Sequence, residues 1–123
     1  MKFLPGELHD QILEAATVEA ALPALEFLLN NGYSVTSGGE LYFIKELVGR
    51  TNGLSIYIYP GDHPPPHFHI RGGGINASFS ISDCTLLNGQ VGPRHQALIK
   101  WWHRRAHDKL QATWEKLSGQ DRG

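Results

Sequence analysis

From about Glu7 to Asn31 the apolar positions Ile12, Leu13, Ala16, Ala20, Leu25, Leu28 and Leu29 recur at roughly helical spacing. Pro23 would break one long rod, so two shorter helices meeting near Thr17 to Ala21 are expected, with Pro23 in the first turn of the second. Asn31-Gly32 reads as a left-handed stop. Gly38-Gly39 marks a turn, and Leu41 to Lys45 a short strand. Arg50-Thr51-Asn52-Gly53 is a turn signal ahead of a clear strand from Leu54 to Tyr59.

The period changes to two in the centre of the chain. His67, His69 and Arg71 alternate with Phe68 and Ile70, and Ile75, Ala77, Phe79 and Ile81 alternate with Asn76, Ser78 and Ser80. Side chains two apart on a strand leave the same face, so each segment has one apolar and one polar side. Pro64, Pro65 and Pro66 lead in as a rigid extended run. A two-residue turn at Gly72-Gly73 would set Ile70 opposite Ile75, Phe68 opposite Ala77, His69 opposite Asn76 and His67 opposite Ser78. The polar faces then merge into one patch of His67, His69, Arg71, Asn76, Ser78 and Ser80. A last short strand is expected near Thr85 to Leu87.

Pro93 to Leu117 returns to helical period. One stripe holds Ile99, Trp102, Ala106, Leu110, Thr113 and Leu117, with His103 on it and His107 and Trp114 flanking. A second stripe holds Arg94, Leu98, Trp101, Arg105, Lys109 and Lys116, in which Trp101 points away from the core beside arginine. The tail after Ser118 is expected to fray. These elements predict an α+β fold: two N-terminal helices, an antiparallel sheet of four to five strands, and a long C-terminal helix packed on one face. At 123 residues the chain suits a single domain, with residues 1–50 an N-terminal helical extension and first strand.

Charge adds an asymmetry that the net value of −1 conceals. Met1 to Ser34 carries one cation against five anions, and Gln90 to Gly123 carries seven cations against three anions. Either the basic end steers a partner or the acidic end packs beside it. The single cysteine, Cys84, excludes an internal disulfide and a cysteine-based zinc motif. No apolar run reaches the length of a membrane span, and no basic-then-apolar leader opens the chain, so a cytoplasmic protein without a membrane role is expected.

The Ile/Tyr strand from Leu54, then Asp62-His63, then Pro65-Pro66-His67-Phe68-His69, and last a closing helix with Trp102, His107 and Trp114-Glu115, resemble a bacterial family called domain of unknown function 4160. The resemblance spans about residues 54–117. Pro64 stands where that motif usually has a polar residue, and Arg71-Gly72-Gly73-Gly74 is more basic and glycine-rich than the motif. It implies a small α+β bacterial protein of the kind often encoded in two-gene, toxin–antitoxin-like units. It implies no activity and no catalytic residues.

The residues support three functional readings. An exposed Trp101 flanked by Arg94, Arg105 and Lys109 has the composition of a protein interface, and the sheet patch with Asn76 and Ser78 offers a second surface. The same groups suit RNA or DNA through stacking and phosphate contacts. Alternatively, His67 and His69 serve as acid and base and Arg71 as the phosphate-stabilising cation of a metal-independent ribonuclease, because imidazole exchanges protons near neutral pH. In the third reading no cysteine is available, and His63, His67 and His69 hold a divalent metal such as zinc, for which His103 and His107 are further candidate ligands. Against all three stands a structural role, in which the two imidazoles bond cross-strand hydroxyls and loop carbonyls and lock the proline loop to the sheet.

Overall fold

A computed structural model describes residues 5–45, 54–59 and 64–121 of the chain. The elements run α1 (Pro5–Glu14), α2 (Val18–Asn30), β1 (Gly32–Val35), β2 (Leu41–Lys45), β3 (Ser55–Tyr57), β4 (His67–Gly72), β5 (Ile75–Ser80), β6 (Leu86–Asn88) and α3 (Pro93–Asp121). The fold is α+β, with two N-terminal helices and one long C-terminal helix, as expected. The strands form two antiparallel sheets rather than one: a β1–β2 hairpin, and a four-stranded sheet in the order β3-β4-β5-β6. The turn expected at Arg50 to Gly53 lies outside the described residues.

The N-terminal helices break where the sequence placed the break, and Thr17 is the reason. Its backbone is extended and its hydroxyl accepts from the Ala20 amide at 3.1 Å, which caps the first turn of α2. Pro23 lies inside α2, beyond the expected first turn, and it is exposed on the solvent side. The stop at Asn31 is not left-handed either. Asn31 is extended (φ −130°, ψ 169°), and its side-chain amide donates to the Phe27 carbonyl at 2.8 Å. The chain therefore runs straight from α2 into β1, whose partner β2 pairs Val35 with Leu41.

In the central hairpin the turn falls one residue later than expected. Gly73 and Gly74 occupy it with φ 59° and 83°, the two successive positive values that a type I′ turn requires. Moving the turn by one residue shifts the pairing by two, so the faces survive while every partner changes. His67 lies opposite Ser80, Phe68 opposite Phe79, His69 opposite Ser78, Ile70 opposite Ala77 and Arg71 opposite Asn76. The observed register pairs two aromatics across the strands, with ring centroids 5.7 Å apart, and such a pair adds roughly 0.5–1.5 kcal/mol beyond its burial. Ahead of β4, the Pro64–Pro65 peptide is cis, so the proline run is not the uniformly extended lead-in expected.

Beyond Ser80 the chain turns through Ile81 to Asp83, and Asp83 accepts from both the amide and the hydroxyl of Thr85. Cys84, in the left-handed region at φ 61°, is buried, and that burial pushes its thiol up to about 12. Its side chain belongs to the hydrophobic core. Strand β6 then bulges against β5 at Ser78 and Phe79.

One core joins the two parts of the chain. From the sheet come Phe68, Ile70, Phe79 and Ile81, from α1 and α2 Leu8, Ile12, Leu25 and Leu28, and from α3 Leu98, Ile99, Trp102, Ala106 and Leu110. Trp102 meets Phe68 of the sheet and donates from its indole to the Ala21 carbonyl of α2 at 2.9 Å. It is the point where helix, sheet and N-terminal extension converge. Helix α3 extends to Asp121, past the position where fraying was expected.

Candidate functional site

The Trp/Arg stripe of α3 does not face solvent. Trp101 is 4% exposed, which corrects the expectation that it points away from the core. Arg105 lies over its ring, with the guanidinium carbon 3.7 Å from the centroid, and bonds the Trp101 carbonyl at 2.8 Å and His9 of α1 at 3.0 Å. Arg94 donates to the carbonyls of Tyr33 and Asn31, just past the C-terminus of α2. Lys109 donates to the Leu13 carbonyl in the last turn of α1 at 3.1 Å. Neither α1 nor α2 carries a basic residue in its own last turn, so α3 supplies the cations that their carbonyl ends attract. Of the two outcomes that the charge asymmetry left open, packing of the two ends on each other is the one observed.

The sheet patch has the opposite character. His67, His69 and Arg71 share one face with Asn76, Ser78 and Ser80, and β3 brings Tyr57 directly opposite His69. The result is a continuous row of planar groups. Arg71 lies 5.7 Å from the Tyr57 ring, the Tyr57 and Tyr59 rings are 5.9 Å apart and within 3° of parallel, and Tyr59 meets His69 edge-on at 5.1 Å. His69 meets His67 at 5.1 Å, and His67 meets Trp114 of α3 at 5.5 Å.

Burial grades along this row. At one end His67 is 9% exposed, Ser78 and Ser80 are buried, and His69 Nε2 is shielded from solvent. At the other end Tyr57 and Tyr59 are 40% and 38% exposed, and Arg71 and Asn76 are exposed beside them. His67 donates from Nδ1 to the Pro65 carbonyl at 2.8 Å, which fixes its tautomer and ties the proline loop to the strand. Ser80 shares a hydrogen bond with Ser82 at 2.9 Å, within the turn.

The sequence singled out the imidazoles and Arg71 but not the tyrosines. Their signal was present in Ser55-Ile56-Tyr57-Ile58-Tyr59, where isoleucine and tyrosine alternate. Once Ile56 pairs with Ile70 across the strands, both tyrosines must share the histidine face.

The metal reading starts from His67 and His69, and of its candidate further ligands His63 lies outside the described residues. Among the described residues no group of three or more His, Cys, Asp or Glu side chains is placed to hold an ion. His103 and His107 stand 5.7 Å apart on α3, and His103 stacks on Phe68, on the face of β4 opposite to His67 and His69. His103 donates from Nε2 to the Ile81 carbonyl, which removes that nitrogen as a ligand. Burial is the main influence on His103 and pulls its titration below the ordinary imidazole range, with the Ile81 hydrogen bond acting in the other direction.

Among the described residues no helix is long and apolar enough to cross a membrane. Comparison with curated proteins and with solved structures finds no match. The model of one family covers residues 53–115, just over half of the chain, and takes in β3 to β6 and most of α3 while leaving α1, α2, β1 and β2 outside. On that match the chain belongs to the family described as a domain of unknown function, DUF4160.

Proposed function

We propose that the chain is a protein-binding module whose working surface is the open end of the Tyr/His/Arg row, and that it serves in a two-protein bacterial unit of the toxin–antitoxin type. The observation that carries the reading is the pair Tyr57 and Tyr59, parallel and each about two-fifths exposed, with Arg71 against the Tyr57 ring. Tyrosine and arginine are enriched at interface hot spots: tyrosine offers large contact area with few rotatable bonds and a polar tip, and arginine a planar fork of donors that stacks on aromatic faces. The imidazoles beside the tyrosine pair support the reading as a rigid base, since the edge-on contact of His69 with Tyr59 at 5.1 Å and the bond of His67 to the Pro65 carbonyl limit the movement of Tyr59 and the loop.

The test is co-purification with the product of the adjacent open reading frame. Tyr57→Ala combined with Tyr59→Ala should remove the partner while leaving the unfolding midpoint within the range of surface substitutions. Full recovery of the partner by the double variant would overturn the reading.

The ribonuclease reading is favoured by one observation, two imidazoles 5.1 Å apart on the same strand face as Arg71. Acid–base work on a phosphodiester needs both rings within reach of the substrate, and the burial of His67 and of His69 Nε2 weighs against it. RNA cleavage that is lost in a folded His69→Ala variant, with partner binding kept, would favour this alternative.

A further inference from the structure

The N-terminal extension also creates a cleft that the family segment alone could not. Where the turn between β1 and β2 crosses α3, a hollow of about 210 Å3 opens between the two, lined in part by Val35, Ser37, Gly39, Lys100, Trp101 and Arg104. Lys100 and Arg104 stand one turn apart on α3, both exposed. Neither pairs with a carboxylate among the described residues, and no carboxylate lines the cleft. Two cations at one small concavity without a carboxylate in its lining repel each other, and an anion between them relieves that repulsion.

The turn is shaped for the same occupant. Gly39 has φ +86°, and a Cβ there would lie 3.2 Å from Arg104 Nη1, so glycine lets the guanidinium rest against the turn. Thr36 accepts the Glu40 amide at its hydroxyl oxygen, which leaves its O–H to donate. Ser37 brings a second hydroxyl. An ammonium, a guanidinium and two hydroxyls are more donors than a carboxylate's two oxygens use. A phosphate, with three terminal oxygens and nearly two charges, fits the set. The volume lies below the roughly 300–1,000 Å3 of pockets for drug-sized ligands, which limits any organic portion to a few atoms against Val35 and Trp101.

We propose that the cleft between the β1–β2 turn and α3 binds a dianionic phosphate group through Lys100, Arg104 and the hydroxyls of Thr36 and Ser37. The site is independent of the sheet face. The test is titration of the full-length, isotope-labelled protein, following the backbone amides of Ser37, Gly38 and Gly39 by nuclear magnetic resonance. The probes are inorganic phosphate, glycerol 3-phosphate and acetate.

Inorganic phosphate and glycerol 3-phosphate should give saturable shifts at these amides, and acetate should not. Tighter binding of glycerol 3-phosphate assigns the site to a small phosphate monoester, and equal binding assigns it to phosphate itself. Arg104→Gln and Lys100→Gln should each raise Kd by about tenfold or more, since each removes a charge-assisted contact from an exposed side chain. Unfolding midpoints unchanged in these variants would separate lost binding from lost structure. Absence of saturable shifts with both phosphates, equal response to acetate, or undiminished binding in the folded Lys100→Gln, Arg104→Gln double variant would each overturn the proposal.

Discussion

Arg105 lies over the indole of Trp101, one turn before it on α3, at 3.7 Å from the ring centroid, and the guanidinium placed there meets the N-terminal extension. The same guanidinium bonds His9 on α1, so the stack joins a segment outside the family match to one inside it. Trp101→Ala should therefore cost about 3–5 kcal/mol, as deletion of a buried large side chain does. Arg105→Lys keeps the charge but loses the planar stack and the fork, and should cost about 1 kcal/mol. Urea unfolding of both variants checks the pair. A Trp101→Ala protein as stable as wild type would remove this seam from the core.

Gly89 has a different kind of importance. Its φ is +89°, and a Cβ would stand 2.3 Å from the Asn76 carbonyl oxygen and 2.9 Å from Ala77 Cα, both backbone atoms of β5. Backbone in mid-sheet cannot give way as a side-chain tip can. Gly89→Ala should then lose at least about 2 kcal/mol from strain and displaced pairing. Gly92, three residues on, has nothing within 4 Å of its Cβ position, so Gly92→Ala should fall within about 0.5 kcal/mol of wild type. Similar midpoints for the two variants would contradict the close approach of β6 to β5.

These two sites also mark what the sequence made legible. Both stripes of α3 follow from the angular positions of Trp101 and Trp102, yet periodicity alone cannot say whether a stripe meets solvent or another helix. The information lay in the acidic N-terminal third, whose helices end without cations of their own and take Arg94 and Lys109 from α3. Strand β1 was missed because Tyr33-Ser34-Val35 is short and sits directly behind a stop signal. The hairpin register was missed by one turn position because Gly72, Gly73 and Gly74 all tolerate positive φ. Local chemistry left several turns open, and the Phe68–Phe79 contact favours one of them. Tyr57 and Tyr59 escaped notice as site residues because their face is set by pairing with β4, a non-local fact.

His103 sets a direction for the pH dependence of stability. It is 4% exposed, and burial lowers its titration in the folded state, with His107 and Arg104 pushing the same way and the Ile81 hydrogen bond and Asp83 opposing. His95 is lowered as well, by burial and then by Arg94. In the unfolded chain each imidazole titrates near about 6.5, so below that pH the unfolded state binds more protons than the folded one. The stability these neutral imidazoles contribute is complete above about pH 6.5 and is lost as pH falls below it. Urea midpoints should thus drop between pH 7.5 and 5.5. His103→Gln, which keeps an N–H donor for Ile81, should show a smaller drop, with the His95 contribution remaining. An equal drop in the variant would show that His103 is not the group responsible.

Arg94 offers the sharpest separation between charge and geometry. Its Nε and Nη2 reach two different carbonyls, Tyr33 at 2.7 Å and Asn31 beside it, at the point where α2 gives way to β1. Burial lowers its titration, but a guanidinium starts so high that it remains charged at neutral pH. Lysine at this position would keep the favourable charge near the end of α2, yet a single ammonium on a flexible stem does not reproduce the fork. Arg94→Lys should cost about 1–2 kcal/mol, and Arg94→Met about 2–3 kcal/mol because the two carbonyls then lose a charged donor at a partly buried site. Hydrogen exchange gives the finer reading. Amides in β1 and the last turn of α2 should lose protection in both variants, while those of β4 and β5 keep theirs, since the four-stranded sheet takes no support from this contact. Uniform loss across all strands would mean that Arg94 acts on global stability rather than on the junction of α2 and β1.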